Sequence, residues 1–410
     1  MLKLINTLSR YIVGLVFLFS GFVKLVDPYG TAYKISDYLQ SVNLILPLWL
    51  ALAASVTLSI TEFTLGLNSL FKVRYEGTTK LLLSIVSLFT ILTLYIAIAN
   101  PVQDCGCFGD ALVISNWATF AKNIVLLLLS YILWRNRSYD KNRLKHRHQA
   151  AMSFVFIVFA LLMALTAIRH LPFIDFRPYS VGTSIPEQMS VPEGMPQDVY
   201  ETTFIYEKDG VQKRFTEDNY PWQDSTWHYV DSESVLVKKG YEAPIHDFVI
   251  EHPEWGDITE EVLQDPSYTF LLISPKLEKA SLKHQEDIAH LQAYCEERGY
   301  RFLLLTATSG PEAEAFDAHF SSSIERCTMD EITLKTIIRS NPGLVILKEG
   351  IILEKYAHND LPQISPEEAP LSVILRQQER QKNRIIILLL TLLLGGLIYK
   401  LSQKKDFTQK

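Results

Sequence analysis

The sequence lacks the short motifs that identify nucleotide-binding enzymes, zinc proteases and serine hydrolases. It contains no phosphate-binding loop, no HExxH motif and no spacing typical of a Ser-His-Asp triad. The isolated histidines His246, His252 and His284 have no second ligand at helical spacing, so we interpret each as a surface or packing residue. We therefore expect no metal site and no cofactor, and no cofactor-binding residue is identified.

Positive charge is scarce in the second half of the chain. Residues 173–383 contain 19 Lys+Arg against 37 Asp+Glu, whereas residues 1–172 contain 15 against 7. Nucleic-acid binding requires a clustered basic surface, so this balance argues against a nucleic-acid partner. The asymmetry instead predicts a basic membrane part that carries an acidic soluble part.

Long apolar runs, by contrast, are abundant, and 48% of the residues are hydrophobic. The uncharged runs Leu81–Ala99 and Ala150–Ile168 can cross a hydrocarbon core of roughly 30 Å at about 1.5 Å per residue. Arg384 and Lys400 flank a short run and can snorkel to the interfaces. We predict six spans and expect the first to be retained, because no small-x-small cleavage site follows it. The four further runs are Ile12–Val23, Leu44–Phe71, Trp117–Trp134 and Ile385–Tyr399.

The basic residues between the spans predict the orientation. Cytoplasmic connections are enriched in Lys and Arg, and the loop from Asn100 to Asp110 contains neither. We therefore predict a multi-pass protein of a bacterial cytoplasmic membrane, with both termini cytoplasmic and with this loop and the large domain extracytoplasmic. The basic residues in question are Lys72, Arg74, Lys80, Arg135, Arg137, Lys141, Arg143, Lys145, Arg147, Lys400, Lys404, Lys405 and Lys410.

The extracytoplasmic loop reads NPVQDCGCFGD and holds two of the four cysteines, Cys105 and Cys107. Two thiols one residue apart close only a small, strained ring, so their disulfide should exchange readily. Gly106 supplies the backbone freedom that the ring needs. A redox pair, a static disulfide and a soft-metal site remain alternatives, and few His or Met residues lie nearby to complete a metal shell.

Three charged residues inside the spans are candidates to support this pair. Lys24 and Lys122 lie near the outer ends of their spans and could stabilise a thiolate, or they could snorkel to headgroups. Glu62 lies within the second span, where a carboxylic acid is costly. It could transfer protons during thiol oxidation, or it could bond Arg10 inside the bundle.

The large domain contains the pattern strand, helix, strand, helix, then a hairpin preceded by a proline. We predict strands at Thr269–Ser274 and Arg301–Thr306 and a helix at Leu277–Arg298. Two shorter helices and the hairpin in NPGLVILKEGIILEKY follow. Together with APIHDF at Ala243–Phe248, this pattern resembles the thioredoxin fold of membrane-anchored proteins. The two shorter helices are predicted at Pro311–Phe320 and Asp330–Arg339.

The resemblance to thioredoxins implies that Pro342 is a cis proline and that Asn341 and Pro342 line a substrate groove. The sequence departs from the family where the CxxC should follow the first strand, because that place reads SPKLEKAS. Without a thiolate at the helix start the domain cannot react in the usual way. Cys295 and Cys327 are candidates for a structural disulfide, for packed thiols or for a displaced redox pair.

The first spans resemble the MauE branch of the DoxX-like membrane proteins, through Arg10, Gly14, Phe19–Leu25 (FSGFVKL), Glu62 and the DCGCFGD loop. This resemblance implies a four-helix membrane bundle at residues 1–140. We divide the remainder into a fifth span at 150–170, a degenerate thioredoxin-like domain at 173–364, a linker helix at 365–384 and a sixth span at 385–401.

The MauE resemblance implies that the protein assists thiol–disulfide exchange or the maturation of exported cysteine-containing proteins. The expected partners are the lipid bilayer and an exported thiol protein, such as a thioredoxin-like one, which the redox-active Cys-Gly-Cys pair would serve. A different class of function also fits: a non-enzymatic membrane scaffold whose thioredoxin-like domain docks a partner. The sequence leaves open whether the chain is a thiol–disulfide oxidoreductase component.

Overall fold

The computed structural model describes residues 2–102, 104–139, 145–192, 194–196, 198–238, 240–319 and 324–407, with the backbone alone at 139, 317, 392–395 and 397–407. Within these residues, five helices are long and apolar enough to cross a membrane. A short helix, α2, separates the first two. The bounds are α1 Leu2–Val26, α2 Pro28–Ser41, α3 Leu48–Leu70, α4 Tyr75–Ala99, α5 Asn116–Arg135 and α6 His146–Arg169.

Five of the six predicted spans are therefore confirmed. The second begins four residues later than predicted, at Leu48, because Pro47 has an extended backbone with ψ of 139° and caps the helix. The predicted sixth span, 385–401, falls in the helix Pro370–Phe407 but is not among the five, so it stays a prediction. Lys141, Arg143 and Lys410 of the orientation argument lie outside the described residues.

Helices α1 and α3 approach each other closely through glycines. A Cβ atom at Gly21 would lie 2.3 Å from the backbone nitrogen of Phe63, and one at Gly66 would lie 2.5 Å from that of Leu18. Small residues permit this approach in membranes, where packing rather than hydrophobicity drives helix association. α6 packs on the same pair and adds Ala160, Met163 and Ala164 to their buried cluster.

Helix α2 is a short helix that the sequence analysis did not predict. Asp27 is its N-cap and accepts a hydrogen bond from the Gly30 N–H at 2.9 Å, and Pro28 occupies the first turn. Both are strong helix-start signals. The hydroxyl of Ser55 on α3 donates to the Pro28 carbonyl at 2.8 Å, which fixes α2 at the end of the bundle where α1 ends.

The C-terminal α/β region contains a seven-stranded sheet in the order β10-β9-β6-β7-β8-β4-β5. β6, β7 and β8 are parallel, while β9 lies antiparallel to β6 and pairs with β10 in a hairpin. The strands β4 to β10 are Glu251–His252, Gly256–Asp257, Tyr268–Ile273, Arg301–Thr306, Glu325–Thr328, Gly343–Lys348 and Ile351–Ala357. The helices α8 to α12 are Thr259–Leu263, Gln285–Arg298, Pro311–Asp317, Glu331–Ile337 and Pro370–Phe407.

Two predictions for this region need correction, and one detail agrees. The long helix begins at Gln285 and not at Leu277; only a 3-10 turn spans Leu277–Lys279. The segment between them is held by the Ser281 N–H, which donates to the Asn341 carbonyl at 3.0 Å and so departs from helical geometry. The strand β8 was not predicted. The Asn341–Pro342 peptide bond is cis, as the resemblance to thioredoxins implies.

Residues Thr183–Phe248 form a separate compact unit. Its helix α7 is Ile185–Met189, and its three strands form an antiparallel sheet in the order β2-β1-β3. Aromatic rings pack on this sheet, with the centroids of Phe204 and Tyr220 4.9 Å apart and those of Phe215 and Trp227 5.1 Å apart. The strands β1 to β3 are Val199–Lys208, Val211–Thr216 and His228–Lys238.

Arg339, which follows α11, joins the α/β region to the bundle. Its Nε lies 2.9 Å from Oδ2 of Asp27, and its Nη2 lies 3.3 Å from Oδ2 of Asp110. Burial raises the pKa of Asp27, but the charges of Arg339 and Arg177 outweigh burial and hold that pKa below its usual value. Asp27 therefore stays ionised, and one carboxylate both caps α2 and binds the α/β region.

The close approach of α1 and α3 gives the first testable prediction. Gly21→Ala places a Cβ against backbone that cannot move away, and overpacking of this kind costs roughly 1–3 kcal/mol. The purified variant should unfold at a lower temperature in detergent. Gly77→Ala is the matched control, since a Cβ there meets nothing within 4 Å. Equal melting of the two variants would contradict the close packing.

Arg339 gives the second prediction. Arg339→Gln removes the guanidinium that contacts the buried Asp27, and breaking a buried pair costs about 3–5 kcal/mol. Hydrogen exchange of the amides in α2 and around Asp110 should accelerate. The control is Arg376→Gln, which removes a more exposed pair with Glu368 and should change exchange little.

Adding Asp27→Asn to Arg339→Gln should restore part of the lost protection, because the buried charge is then removed. If Arg339→Gln exchanged like the wild-type protein, the docking contact would be refuted.

Candidate functional site

The loop between α4 and α5 is fixed at both of its ends. α4 ends at Ala99, and its C-cap residue Asn100 has a left-handed backbone with φ of 44°. The side-chain nitrogen of Asn116 donates to Oδ1 of Asn100 at 2.8 Å and to the Val102 carbonyl at 2.9 Å. Ser115 caps α5, since its hydroxyl accepts from the Ala118 N–H. The two cysteines are therefore on a constrained turn.

A tight turn brings the two cysteines together. Oδ1 of Asp104 accepts from the Gly106 N–H at 2.8 Å, and Gly106 adopts φ of +60°, which favours glycine. The turn directs the Cys107 N–H at Sγ of Cys105, 3.2 Å away. That sulfur also lies 3.4 Å from Oγ1 of Thr119 on α5. Sγ of Cys105 thus accepts from a backbone N–H and, as a thiol, donates to the Thr119 hydroxyl.

Helix α2 covers this turn. Nζ of Lys34 lies 2.7 Å from Oδ2 of Asp104, and the Tyr38 hydroxyl donates to the Asp104 carbonyl at 3.3 Å. A Cβ atom at Gly106 would lie 3.2 Å from Cγ of Lys34, so the helix lies directly on the glycine. α2 consequently shields one side of the Cys-Gly-Cys turn.

A buried ion pair lies beneath the turn. Nζ of Lys24 on α1 contacts both carboxylate oxygens of Glu62 on α3, at 2.9 and 2.7 Å. The Ser20 hydroxyl accepts from Lys24 at 3.1 Å and lies 2.8 Å from both Oε2 of Glu62 and the Cys107 carbonyl oxygen. Because Ser20 has one proton, it donates to one of these two acceptors. A single hydroxyl therefore links the ion pair to the dithiol turn.

The structure settles the partner of Glu62. The sequence offered Arg10 as one candidate, but the guanidinium of Arg10 donates to the Leu70 carbonyl at the end of α3. A positive group at a helix C-terminus interacts favourably with the helix dipole, so Arg10 has a packing role. Glu62 is paired with Lys24 instead, and both are buried.

Lys122 approaches the loop from α5. Its Nζ lies 4.3 Å from the centroid of the Phe108 ring, a cation–π contact, and Phe108 in turn packs on Phe19 with centroids 5.5 Å apart. The predicted site residues Cys105, Cys107, Lys24, Glu62 and Lys122 are therefore grouped at one end of the bundle.

The two thiols have opposite electrostatic environments. The hydrogen bond from the Cys107 thiol, with smaller contributions from Thr119, the Cys107 N–H and Lys122, outweighs burial and lowers the pKa of Cys105 to about 6. The pKa of Cys107 is raised well above its usual value by its hydrogen bond to Cys105 and by burial. At neutral pH the reduced pair holds one thiolate, on Cys105.

The other two cysteines lie apart from this site. Cys295 on α9 and Cys327 on β8 are buried free thiols, so the structure has no disulfide between them. Burial raises the pKa of Cys295 to about 12 and that of Cys327 to about 11, which makes both unreactive. Among the described residues, no group of three or more His, Cys, Asp or Glu side chains could hold a metal ion.

Asn341, which was predicted to line a groove, makes its hydrogen bonds within its own domain. Its Oδ1 accepts from the Ser274 hydroxyl at 2.6 Å, its amide nitrogen donates to the Lys276 carbonyl at 2.8 Å, and its carbonyl accepts from Ser281. These contacts hold the segment where a CxxC would lie. Pro342 lies three residues after Arg339, so this end of the α/β region docks on the bundle.

Four residues of the site were not identified from the sequence: Ser20, Lys34, Asp104 and Thr119. Ser20 belongs to the FSGFVKL motif, in which the spacing of Ser20 and Lys24 by one helical turn was the available signal. Asp104 two residues before a glycine is a common turn signal. Lys34 and Thr119 are brought to the loop only by tertiary packing.

Comparison with known proteins identifies part of the chain. The fold and the site define a multi-span membrane protein with a dithiol loop at one end of its bundle. Residues 2–135 match the family model described as Methylamine utilisation protein MauE. This match runs from the first residue of α1 to the last of α5, so the predicted MauE resemblance is confirmed for the bundle.

A second family model, described as a Domain of unknown function (DUF8463), matches residues 200–239, the three-stranded sheet. No curated protein and no solved structure matches the chain.

The opposite pKa shifts of Cys105 and Cys107 give a third prediction. Titration of the reduced protein, followed by thiolate absorbance, should show one transition near pH 6, because the pKa of Cys105 is about 6. Thr119→Val removes a donor to the sulfur and should move the transition to higher pH. Thr90→Val is the matched control, since the Thr90 hydroxyl bonds only its own helix at Val86.

Cys105→Ser should abolish the transition. A titration unchanged by Cys105→Ser would assign it to another group and would contradict the thiolate on Cys105.

Proposed function

We propose that Cys105 and Cys107 shuttle between dithiol and disulfide and that the protein assists thiol–disulfide exchange, or maturation, of exported cysteine-containing proteins. The observation that carries this proposal is the Cys-Gly-Cys turn itself. A sulfur that receives a backbone N–H at 3.2 Å and lies 3.4 Å from a threonine hydroxyl has the environment of a reactive thiol. Buried structural thiols such as Cys295 lack such donors.

The same proposal places the turn on the extracytoplasmic side of a bacterial cytoplasmic membrane. The absence of Lys and Arg from residues 100–110 supports this orientation. Disulfides form and persist in that compartment, so a redox pair would meet exported substrates there.

A thioredoxin-like assignment of the α/β region is part of the proposal. The parallel β6 and β7, the hairpin antiparallel to β6 and the cis Asn341–Pro342 bond before β9 support it. Having no cysteine between Ser274 and Ser281, that region would bind rather than react. A client or a thioredoxin-like partner would approach beside Pro342.

A second function is favoured by one specific observation. The polar groups of Asn341 are already bonded within the domain, and Arg339 docks it on the bundle. These contacts suit a non-enzymatic scaffold in which the α/β region holds a partner near the membrane. Cys105 and Cys107 would then form a static disulfide.

Differential thiol trapping in intact cells separates these functions and gives the fourth prediction. Free thiols are alkylated before and after reduction in the wild-type protein and in Cys105→Ser and Cys107→Ser variants. The redox function predicts a partly reduced pair, and a mixed disulfide with another protein in a single variant. Cys295→Ser is the control, because its thiol is buried and unreactive and its loss should leave the pattern unchanged.

A pair that is fully oxidised, resistant to mild reductant and dispensable for any phenotype of deletion would reject the redox function. The scaffold function would then be the one that remains.

A further inference from the structure

The two sulfur-bearing residues differ in their access to other molecules. Cys105 is 9% exposed, and its sulfur is enclosed by Thr119 of α5 and by the backbone of the turn. Cys107 is half-buried and remains the more accessible of the two. Of the two residues, Cys107 therefore leaves the larger share of its surface open to a protein thiol that approaches the turn.

The two sulfurs also differ in how well they accommodate negative charge. The Cys107 N–H is directed at Sγ of Cys105 at 3.2 Å, and the hydroxyl of Thr119 lies 3.4 Å from the same sulfur. These donors are supplied by the fixed turn and by α5, so they are in place before any reaction. In disulfide exchange, the sulfur of lower pKa leaves faster.

Resting on the proposed redox function, we propose that the pair is an oxidant in which a client thiolate attacks Sγ of Cys107 and Cys105 is the leaving sulfur. The two cysteines of the turn thus have different roles, since Cys107 is attacked and Cys105 leaves. The client is a protein with two thiols, and the reaction makes its disulfide.

The exchange proceeds in two balanced steps. In the first, the client thiolate bonds to Sγ of Cys107, the Cys105–Cys107 bond breaks, and its electron pair remains on Sγ of Cys105. In the second, the other client thiol gives its proton to solvent and attacks the client sulfur of the mixed disulfide. The Cys107 thiolate leaves and takes up a proton. The client loses two electrons and the pair gains them.

The opposite direction is disfavoured by the same geometry. A reductant must attack the client disulfide with its thiolate, and here the thiolate is the enclosed Cys105. Cys107 is accessible, but its pKa is raised by Cys105 and by burial, so little of it is ionised at neutral pH. Neither sulfur combines access with charge, as an attacking thiol must.

The test compares the two single-cysteine variants of the loop in the purified full-length protein. Cys105→Ser and Cys107→Ser are each activated with Ellman's reagent, and a reduced peptide with two cysteines is then added. Mass spectrometry measures the peptide adducts. The double variant Cys105→Ser/Cys107→Ser gives the background from Cys295 and Cys327. We expect Cys105→Ser, which retains Cys107, to react about tenfold faster or more, because access limits the exchange rate.

Each outcome decides between the inference and the function on which it rests. Faster reaction through Cys105, in the Cys107→Ser variant, would overturn the assignment of tasks while leaving a redox pair in place. Equal rates would do the same. If neither variant reacts above the double variant and the wild-type protein forms no Cys105–Cys107 disulfide on mild oxidation, both the inference and the redox function fail.

Discussion

The ion pair between Lys24 and Glu62 is the interaction on which the rest of the site depends. Two opposite charges buried between apolar helices are costly unless they are paired and hydrogen-bonded. Here both carboxylate oxygens contact Nζ of Lys24, and Ser20 adds a further bond. The pair forms only because Gly21 lets α1 approach the backbone of α3. Helix packing and charge compensation therefore require each other.

The Lys24–Glu62 pair is also linked to the Cys-Gly-Cys turn at the end of the bundle. Ser20 lies 2.8 Å from the Cys107 carbonyl, so the position of the turn is tied to the helix core. From the other side, Lys34 on α2 holds Asp104, whose carboxylate shapes the same turn. A turn restrained from both sides has little freedom to reorganise, which keeps the donors to Cys105 aligned. Pre-aligned donors stabilise a thiolate without a further ordering cost.

Hydropathy and charge sufficed to predict the five spans, because each is a local property of a continuous segment. The Cys-Gly-Cys turn and Glu62 were identified for the same reason. The Lys24–Glu62 contact was not predicted, since it depends on the register between two helices that one sequence does not specify. α2 was not predicted although Asp27 and Pro28 signal its start, because the helix is not an apolar run. The predicted start of α9 was wrong because the preceding segment is hydrogen-bonded to Asn341, which is distant in sequence.

The α/β region docks on the bundle beside the loop that holds Cys105 and Cys107. Arg339 contacts Asp110, which lies three residues after Cys107 in the same loop. The α/β region is thus attached beside the Cys-Gly-Cys turn, through Asp110 of that loop and through Asp27 at the start of α2. One guanidinium therefore restrains both the loop that holds the two cysteines and the helix that covers it.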